Sequence, residues 1–232
     1  MLNKYKTNTF IIIFTIVELL LCILVQITNG ISNIVVSFTA VVISFIFSLL
    51  HFENNKFYLL TLTGLFCTVF ADLFLVVVEP MKQIPAMFFF SITQICYSIR
   101  IYLTQNTRKE KVIHIITRIL VVLICIVATI VVLKDKTDFL SLISLFYYAN
   151  LLVNTIFAFT YFNKNKIFSV GLLCFTLCDL FVGFSVLDQS YISIKENSIL
   201  YFLCNPGFNI AWLFYVPSQT LISLSSIKSI RK

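Results

Sequence analysis

Long apolar segments separated by short polar breaks constrain the fold of this chain more than any other feature. A helix needs about 20 apolar residues to cross the hydrocarbon core of a bilayer. Transmembrane strands would instead alternate apolar and polar residues over half that length. The sequence therefore predicts an all-α membrane protein with eight transmembrane helices, at about 10–27, 32–50, 57–79, 84–104, 113–133, 139–162, 167–187 and 208–227.

Composition supports the same fold class. The chain is 59% hydrophobic and 12% charged, with a mean hydropathy of +0.99. This is too little polar surface to cover a water-soluble globule. The apolar segments leave almost no chain for a soluble domain, so residues 1–232 are expected to form a single integral membrane domain.

Basic residues predict the orientation. With a cytoplasmic amino terminus, 13 of the 17 lysines and arginines fall on the inner side, and the other four are Lys82, Lys134, Lys136 and Lys195. The positive-inside rule then places both termini in the cytoplasm. The net charge of +7 follows from this bias and from attraction to anionic lipid headgroups, so no nucleic-acid partner is needed. Frequent Lys, Asn, Ile and Phe suggest an AT-rich bacterial genome and hence a plasma-membrane location.

The first segment also has features of a secretion signal. Lys4 and Lys6 precede its apolar run, but Glu18 interrupts the run and no small-residue cleavage site follows. We therefore expect it to be a retained helix.

An internal duplication is visible in two segments. "GLFCTVFADLFL" at 64–75 and "GLLCFTLCDLFV" at 171–182 share Gly, Leu, Cys, Asp, Leu and Phe in the same frame. The segments that follow align Gln94 with Gln219. The alternatives are a chance match between Phe- and Leu-rich helices and two parallel four-helix repeats related by an axis along the membrane normal.

Polar side chains recur at helical spacing within four of the segments. Because lipid cannot satisfy such groups, these faces are predicted to point inward. The faces comprise Thr61, Thr68, Asp72 and Glu79; Ser91, Gln94 and Ser98; Tyr147, Asn150 and Asn154; and Tyr215, Ser218, Gln219 and Ser226.

The two aspartates are the strongest candidates for chemistry. Serine, threonine and asparagine serve as interhelical hydrogen-bonding groups, but a carboxyl in mid-membrane costs roughly 2.5 to 3.5 kcal/mol. A facing pair in a closed nonaqueous cavity can keep one carboxyl protonated as an acid while the other, ionised, stabilises an oxocarbenium ion or orients water. Asp72 and Asp179 are therefore the predicted catalytic pair, with nearby amides and tyrosines binding substrate. Glu18 is left without a role.

Other chemistries lack their residues. No G-x-S-x-G, G-x-x-x-x-G-K-[ST] or G-x-G-x-x-G motif occurs. A three-histidine zinc site is impossible because His51 and His114 are the only histidines, and His114 is assigned to the membrane interface. We predict no metal and no cofactor.

The quoted helices and "WLFYVPSQTLISLS" resemble the YhhN family of multi-pass membrane proteins, whose characterised members are lysoplasmalogenases. Asp72, Asp179, Tyr215 and Gln219 match the family's positions, and Tyr97 and Tyr148 match its tyrosines. The chain departs from the pattern at Ala71, where Gly is common, and at Gln94, where His is common.

The resemblance implies hydrolysis of the vinyl ether bond of a lysophospholipid, with membrane lipids as the other partners. The residues implied to bind substrate are Gln94, Tyr97, Tyr148, Asn154, Tyr215 and Gln219. Two alternatives stay open. Parallel repeats with a carboxylate pair near the midplane also occur in proton- or ion-coupled transporters, and Gln94 in place of His fits a non-catalytic lipid-binding protein of the same fold. Oligomeric state is not predicted.

Overall fold

A computed structural model describes residues 2–51, 55–78, 80–190, 201 and 208–227. These ranges are helical and contain no strand. A π-helical turn at Leu73–Val77 extends the third helix. The α-helices are α1 (Leu2–Ile27), α2 (Gly30–Leu50), α3 (Lys56–Asp72), α4 (Gln83–Thr104), α5 (Arg108–Leu133), α6 (Phe139–Thr160), α7 (Lys166–Ser190) and α8 (Ile210–Leu224).

Polar residues in the breaks define where the helices begin. Thr107 and Glu110 form a capping box at the start of α5, and Asp138 and Ser141 form another at the start of α6. Each box satisfies backbone N–H groups that the first helical turn leaves without partners. Two of the polar breaks that the sequence shows therefore cap the first turns of α5 and α6.

Seven helices are long and apolar enough to cross a membrane, in the part of the chain that is described. The last helix, α8, has 15 residues, or about 22 Å of helix. Its two ends are nevertheless tied to opposite sides of the bundle. Asn209 exchanges backbone hydrogen bonds with the Gln26 side chain at the end of α1, and Ser226 bonds Ser48 at the end of α2. The protein is an all-helical integral membrane protein, while the cytoplasmic location of its termini stays a prediction.

The predicted inward faces are confirmed with two qualifications. Ser98 is only half-buried, and Glu79 lies outside the described residues. The other members are buried: Thr61, Thr68, Asp72, Ser91, Gln94, Tyr147, Asn150, Asn154, Tyr215, Ser218, Gln219 and Ser226. Apolar residues cover the outer surface, most fully on α5.

The two halves of the chain pack in a similar pattern, except that the contact of α1 with α8 has no equally extensive counterpart between α5 and α4. The first unit comprises α1 to α4 and the second comprises α5 to α8. The contacts α1–α2, α2–α3 and α3–α4 recur as α5–α6, α6–α7 and α7–α8. The contact of α4 with α6 recurs as that of α8 with α2. Two four-helix units related by a twofold axis would produce this pattern.

Two aligned glycines show the same correspondence in detail. A Cβ on Gly64 would overlap the ring of Tyr97, and a Cβ on Gly171 would lie 2.9 Å from Cγ1 of Ile222. Aligning Gln94 with Gln219 also aligns Tyr97 with Ile222. The missing Cβ at each glycine therefore leaves room for the equivalent side chain of the next described helix. As a result, α4 packs close to α3 and α8 packs close to α7.

A buried arginine lies where the units meet. Arg100 Nη1 donates hydrogen bonds to Thr61 Oγ1 at 2.5 Å and to Ser225 Oγ at 2.9 Å. Its guanidinium carbon lies 3.8 Å from the ring centroid of Phe168. Arg100 thus connects α3 and α4 to α7 and the end of α8.

Candidate active site

Asp72 occupies the last position of α3, where the backbone changes from α-helix to π-helix. The Tyr215 hydroxyl of α8 donates a hydrogen bond to Asp72 Oδ2 at 2.6 Å. Asp72 is 2% exposed. Single π-helical turns inside α-helices are frequent at functional sites. The first predicted catalytic carboxyl is therefore buried and held across the boundary between the two units.

Asp179 lies in α7 and is half-buried. Its Oδ2 accepts a hydrogen bond from the Tyr147 hydroxyl of α6. Hydrogen bonds to a carboxylate are stronger than those between neutral groups. Each predicted carboxyl therefore has one tyrosine partner, but Tyr147 belongs to the same unit as its aspartate, whereas Tyr215 does not.

An aromatic cluster joins the two carboxyl–tyrosine pairs. The ring centroid of Phe175 lies 5.4 Å from that of Tyr215 and 6.4 Å from that of Tyr147. Phe90 stacks on Tyr147 at 5.3 Å and contacts Phe175 edge-on at 6.0 Å. The Phe175 ring thus contacts both of the tyrosines that donate hydrogen bonds to the carboxyls. The structure therefore assembles Asp72 and Asp179 into one site, with Phe175 between their tyrosines.

Tyr148, predicted to bind substrate, is half-buried beside this site. It directly follows Tyr147 on α6, but the described hydrogen bond to the Asp179 carboxyl comes from Tyr147. The sequence carried a signal for Tyr147, because it shares a helical face with Asn150 and Asn154. The structure therefore places Tyr147 at the Asp179 carboxyl, while substrate binding by Tyr148 stays a prediction.

Two buried amides lie one helical turn from the aromatic cluster. Gln219 follows Tyr215 by four residues on α8, and Gln94 follows Phe90 by four residues on α4. Asn154 Nδ2 donates to the backbone carbonyl of Gln94 at 2.9 Å and to its Oε1 at 3.0 Å. Among the described residues, Gln94 Nε2 and both polar atoms of the Gln219 amide have no hydrogen-bond partner. Because buried polar groups are normally paired, these amides are suited to bind a polar ligand.

Tyr97 lies in the packing between three helices. Its ring lies against Gly64 and meets Phe168 edge-on at 5.4 Å. It is fully buried, and its described contacts join α3, α4 and α7 without reaching either carboxyl. Its hydroxyl, like Gln94 Nε2 and the Gln219 amide, is buried without a described hydrogen-bond partner. The ring therefore helps to set the spacing of α3 and α4, and substrate binding by Tyr97 stays a prediction.

A hydrogen-bonded cluster around Arg118 was not anticipated. Arg118 of α5 contacts Asn150 and Asn154 of α6 and His114 of its own helix. His114 is 2% exposed and therefore packs inside the bundle, while its depth at the membrane interface stays a prediction. A charged residue inside an apolar segment was the available signal, but Arg118 was counted only toward orientation.

Glu18 is a third buried carboxyl, outside this site. It is 2% exposed, and Ser44 Oγ of α2 donates to its Oε1 at 2.9 Å. Its described contacts lie between α1 and α2. Nothing in them connects Glu18 to Asp72 or Asp179.

The enclosed cavity expected between the two carboxyls stays a prediction. A cavity of about 490 Å³ lies instead where the α1–α2 turn meets the start of α8. Its lining includes Gln26, Asn33 and Asn209. The described residues contain no group of three His, Cys, Asp or Glu side chains that could bind a metal ion.

Comparison with known proteins gives one match. Neither the curated proteins nor the solved structures contain a significant match to this chain. The model of the YhhN family matches residues 32–226, which include α3 to α8 and nearly all of α2. Both aspartates, both tyrosines and the Arg118 cluster lie within the matched range, and Glu18 lies before it. The chain belongs to the YhhN family.

Proposed function

We propose that this protein is a membrane hydrolase of the lysoplasmalogenase type, which cleaves the vinyl ether bond of a lysophospholipid. The observation that supports this proposal is the pair of carboxyls, Asp72 and Asp179, each hydrogen-bonded by a tyrosine and joined through Phe175. Vinyl ether hydrolysis needs an acid that protonates carbon, an anion that stabilises an oxocarbenium ion, and one water. The pair supplies the first two inside the membrane, where the substrate is dissolved.

The first half of the reaction uses the two carboxyls in different states. One carboxylic acid donates its proton to the outer carbon of the double bond, which leaves an oxocarbenium ion at the carbon bonded to oxygen. The other carboxyl, ionised, stabilises this cation and then accepts a proton from the water that adds to it. The product is a hemiacetal, and the two carboxyls have exchanged their protonation states.

The second half restores both groups. The carboxylate takes the proton of the hemiacetal hydroxyl, and the newly protonated carboxyl donates its proton to the glycerol oxygen. The carbon–oxygen bond to glycerol then breaks and releases a fatty aldehyde and a glycerophospho-alcohol. Because protons and charge balance over the cycle, the reaction consumes only water and requires no cofactor. Which aspartate acts first as the acid is not assigned.

Four of the six predicted substrate-binding residues, together with Tyr147, have places in this proposal. Tyr147 and Tyr215 orient the carboxyls, while the free amide groups of Gln94 and Gln219 are suited to bind the glycerol oxygens of the substrate. Asn154 fixes the orientation of Gln94. We further propose eight membrane spans, both termini in the cytoplasm, and residence in a bacterial plasma membrane.

Substrate discrimination tests the proposal directly. The purified full chain in detergent is offered a 1-alkenyl lysophospholipid and its saturated 1-alkyl counterpart, and aldehyde is measured. We expect aldehyde from the alkenyl lipid alone, because only a vinyl ether can be protonated at carbon. In D2O the aldehyde should carry one deuterium next to its carbonyl carbon. Cleavage of both lipids would contradict the mechanism, and gradient-dependent uptake without any aldehyde would favour a transporter.

The neighbouring tyrosines of α6 give a matched pair of variants. Tyr147→Phe removes the hydroxyl that donates to Asp179 and should lower kcat by about 10- to 100-fold, the effect of losing one hydrogen bond to a charged group. Tyr148→Phe makes the same chemical change one position away and should lower kcat by less than about threefold. Kinetics of aldehyde release measure both. Equal losses in the two variants would contradict the assignment of Tyr147 to the site.

A further inference from the structure

Arg118 binds three acceptors from two helices. Nη1 donates to Asn150 Oδ1 at 2.5 Å, and Nη2 donates to Asn154 Oδ1 at 2.6 Å. Nη2 also lies 3.0 Å from Nε2 of His114, one turn earlier on α5. These bonds engage three of the five N–H groups of the guanidinium. The side chain is therefore held in one direction, with donors left over.

His114 is a neutral acceptor in this arrangement. Because Arg118 can only donate, Nε2 of His114 must be unprotonated, and the ring proton lies on Nδ1. The Gln105 amide lies 3.0 Å from Nδ1. If the amide is turned so that Oε1 faces Nδ1, that oxygen, which otherwise has no described partner, accepts the proton's hydrogen bond. Gln105 and His114 thus position Arg118 without neutralising its charge.

The cluster contains no anion within the described residues. The partners of Arg118 are two amides and an imidazole, all of them uncharged. A cation in the membrane interior is costly unless it is paired or solvated. Gln94 Nε2, a buried donor without a described partner, belongs to the same network through Asn154. Donors therefore outnumber acceptors here, as in a site for an oxyanion.

Neighbouring turns of α6 contact the carboxyl pair and the Arg118 cluster. Tyr147, which binds Asp179, and Asn150, which binds Arg118, are three residues apart on α6, or about 4.5 Å along the helix axis. In a lysophospholipid, the three carbons of glycerol separate the ether oxygen from the phosphate, a span similar to one helical turn of about 5.4 Å. A substrate with its ether at the carboxyls can therefore bring its phosphate to Arg118.

The packing of α5 leaves a route to this cluster from the lipid. In the first unit, α1 packs against both α2 and α8, whereas α5 packs chiefly against α6. The described contacts of α5 with α4 involve residues near its first turns, including Lys111 over the Tyr102 ring and His114 beside Gln105. Arg118 lies beyond these contacts and is half-buried. The face of α5 toward α4 therefore offers lateral access to a headgroup.

We propose that Arg118, positioned by His114, Asn150 and Asn154, recognises the phosphate of the substrate headgroup. This inference rests on the proposed function for the identity of the ligand. The guanidinium supplies the charge and the directed N–H donors that its three described bonds leave free. The site distinguishes a lysophospholipid from a neutral ether lipid with the same chain.

A comparison of charged and neutral substrates tests the proposal in the full chain. Arg118→Gln should raise KM for a 1-alkenyl lysophospholipid by about tenfold or more, the loss of a charge-assisted contact, with kcat nearly unchanged. For 1-alkenylglycerol, which lacks the phosphate, KM should be high in the wild-type protein and unaltered by the substitution. Arg118→Lys keeps the charge but loses the planar donors, so its KM for the lysophospholipid should lie between those of the wild-type protein and of Arg118→Gln. Arg108→Gln removes an exposed charge from the same helix and should change neither substrate's KM.

A binding measurement separates this proposal from the proposed reaction. Equilibrium binding of the uncleavable 1-alkyl lysophospholipid and of 1-alkylglycerol is measured in nanodiscs, for the wild-type protein and the folded Arg118→Lys variant. Weaker binding of the phospholipid alone in the variant supports the headgroup site even if no aldehyde is ever released. An equal loss for both lipids, or no loss for either, overturns it. Displacement of Arg118-dependent binding by millimolar inorganic phosphate, without any preference for the phospholipid, would instead indicate a site for a free anion and also overturn it.

Discussion

Asp72→Asn and Asp179→Asn are each expected to lower kcat for aldehyde release by about 10³-fold or more, with helical content and thermal unfolding nearly unchanged. An amide keeps the shape of the carboxyl and can still accept the tyrosine's hydrogen bond, but it cannot deliver or take up the protons that the reaction requires. General acid–base catalysis contributes about 10²- to 10⁴-fold for one group. The two carboxyls exchange roles during each cycle, so neither loss can be compensated by the other.

Glu18→Gln is the matched control for this experiment. It makes the same change from carboxyl to amide at a residue as buried as Asp72, but between α1 and α2 and away from the site. Its aldehyde release should equal that of the wild-type protein. Full turnover in both aspartate variants would exclude the proposed mechanism. If Glu18→Gln lowered aldehyde release as much as the aspartate variants do, the loss would reflect a structural need for buried carboxyls and not a catalytic role.

Gly64→Ala is expected to lower the free energy of unfolding by about 1 to 3 kcal/mol, the usual cost of inserting a methyl group into a packed core. The new Cβ would overlap the ring of Tyr97, which is fully buried and also contacts Phe168. The ring can move only by separating α3 from α4. Denaturation of the purified protein in detergent, followed by circular dichroism, measures the loss.

Gly183→Ala provides the control because a Cβ at Gly183 would meet no atom within 4 Å. It should be neutral or slightly stabilising, since alanine favours a helix. In a Tyr97→Ala background, Gly64→Ala should cost much less, because the clashing ring is gone. If Gly64→Ala costs the same with and without the tyrosine, close packing at this position is not the cause.

Sequence periodicity predicted the helices and their inward faces well because lipid imposes a strict rule. Polar groups such as Thr68 and Asn154 must point away from lipid. Because the polar residues of a helix share one face, this requirement fixes the rotation of the helix about its axis. The choice between Tyr147 and Tyr148 was different. Successive residues on a helix point in directions about 100° apart. The resemblance selected Tyr148 by motif order, although the face shared with Asn154 indicated Tyr147.

The end of α3 and the Arg118 cluster could not be predicted from the sequence, because both depend on how the helices pack against one another. The third predicted segment continued unchanged through 57–79, whereas the α-helix ends at Asp72 and a π-helical turn follows. Arg118 was counted only toward orientation, because counting lysines and arginines considers their number and side and not the direction of their side chains, and His114 was assigned to the membrane interface without a partner. Their shared burial arises only once α5 is placed against α6.

The hydrogen bond between Tyr215 and Asp72 joins the two units at the site, and both tyrosines come from the second unit. The first unit contributes one acid but neither of the hydroxyls that hold the acids in place. A lone four-helix half therefore cannot assemble the pair, however well it folds. In the proposed reaction, activity would then depend on the contact between the two units. A small shift of one unit against the other would separate Tyr215 from Asp72 while every helix stayed intact.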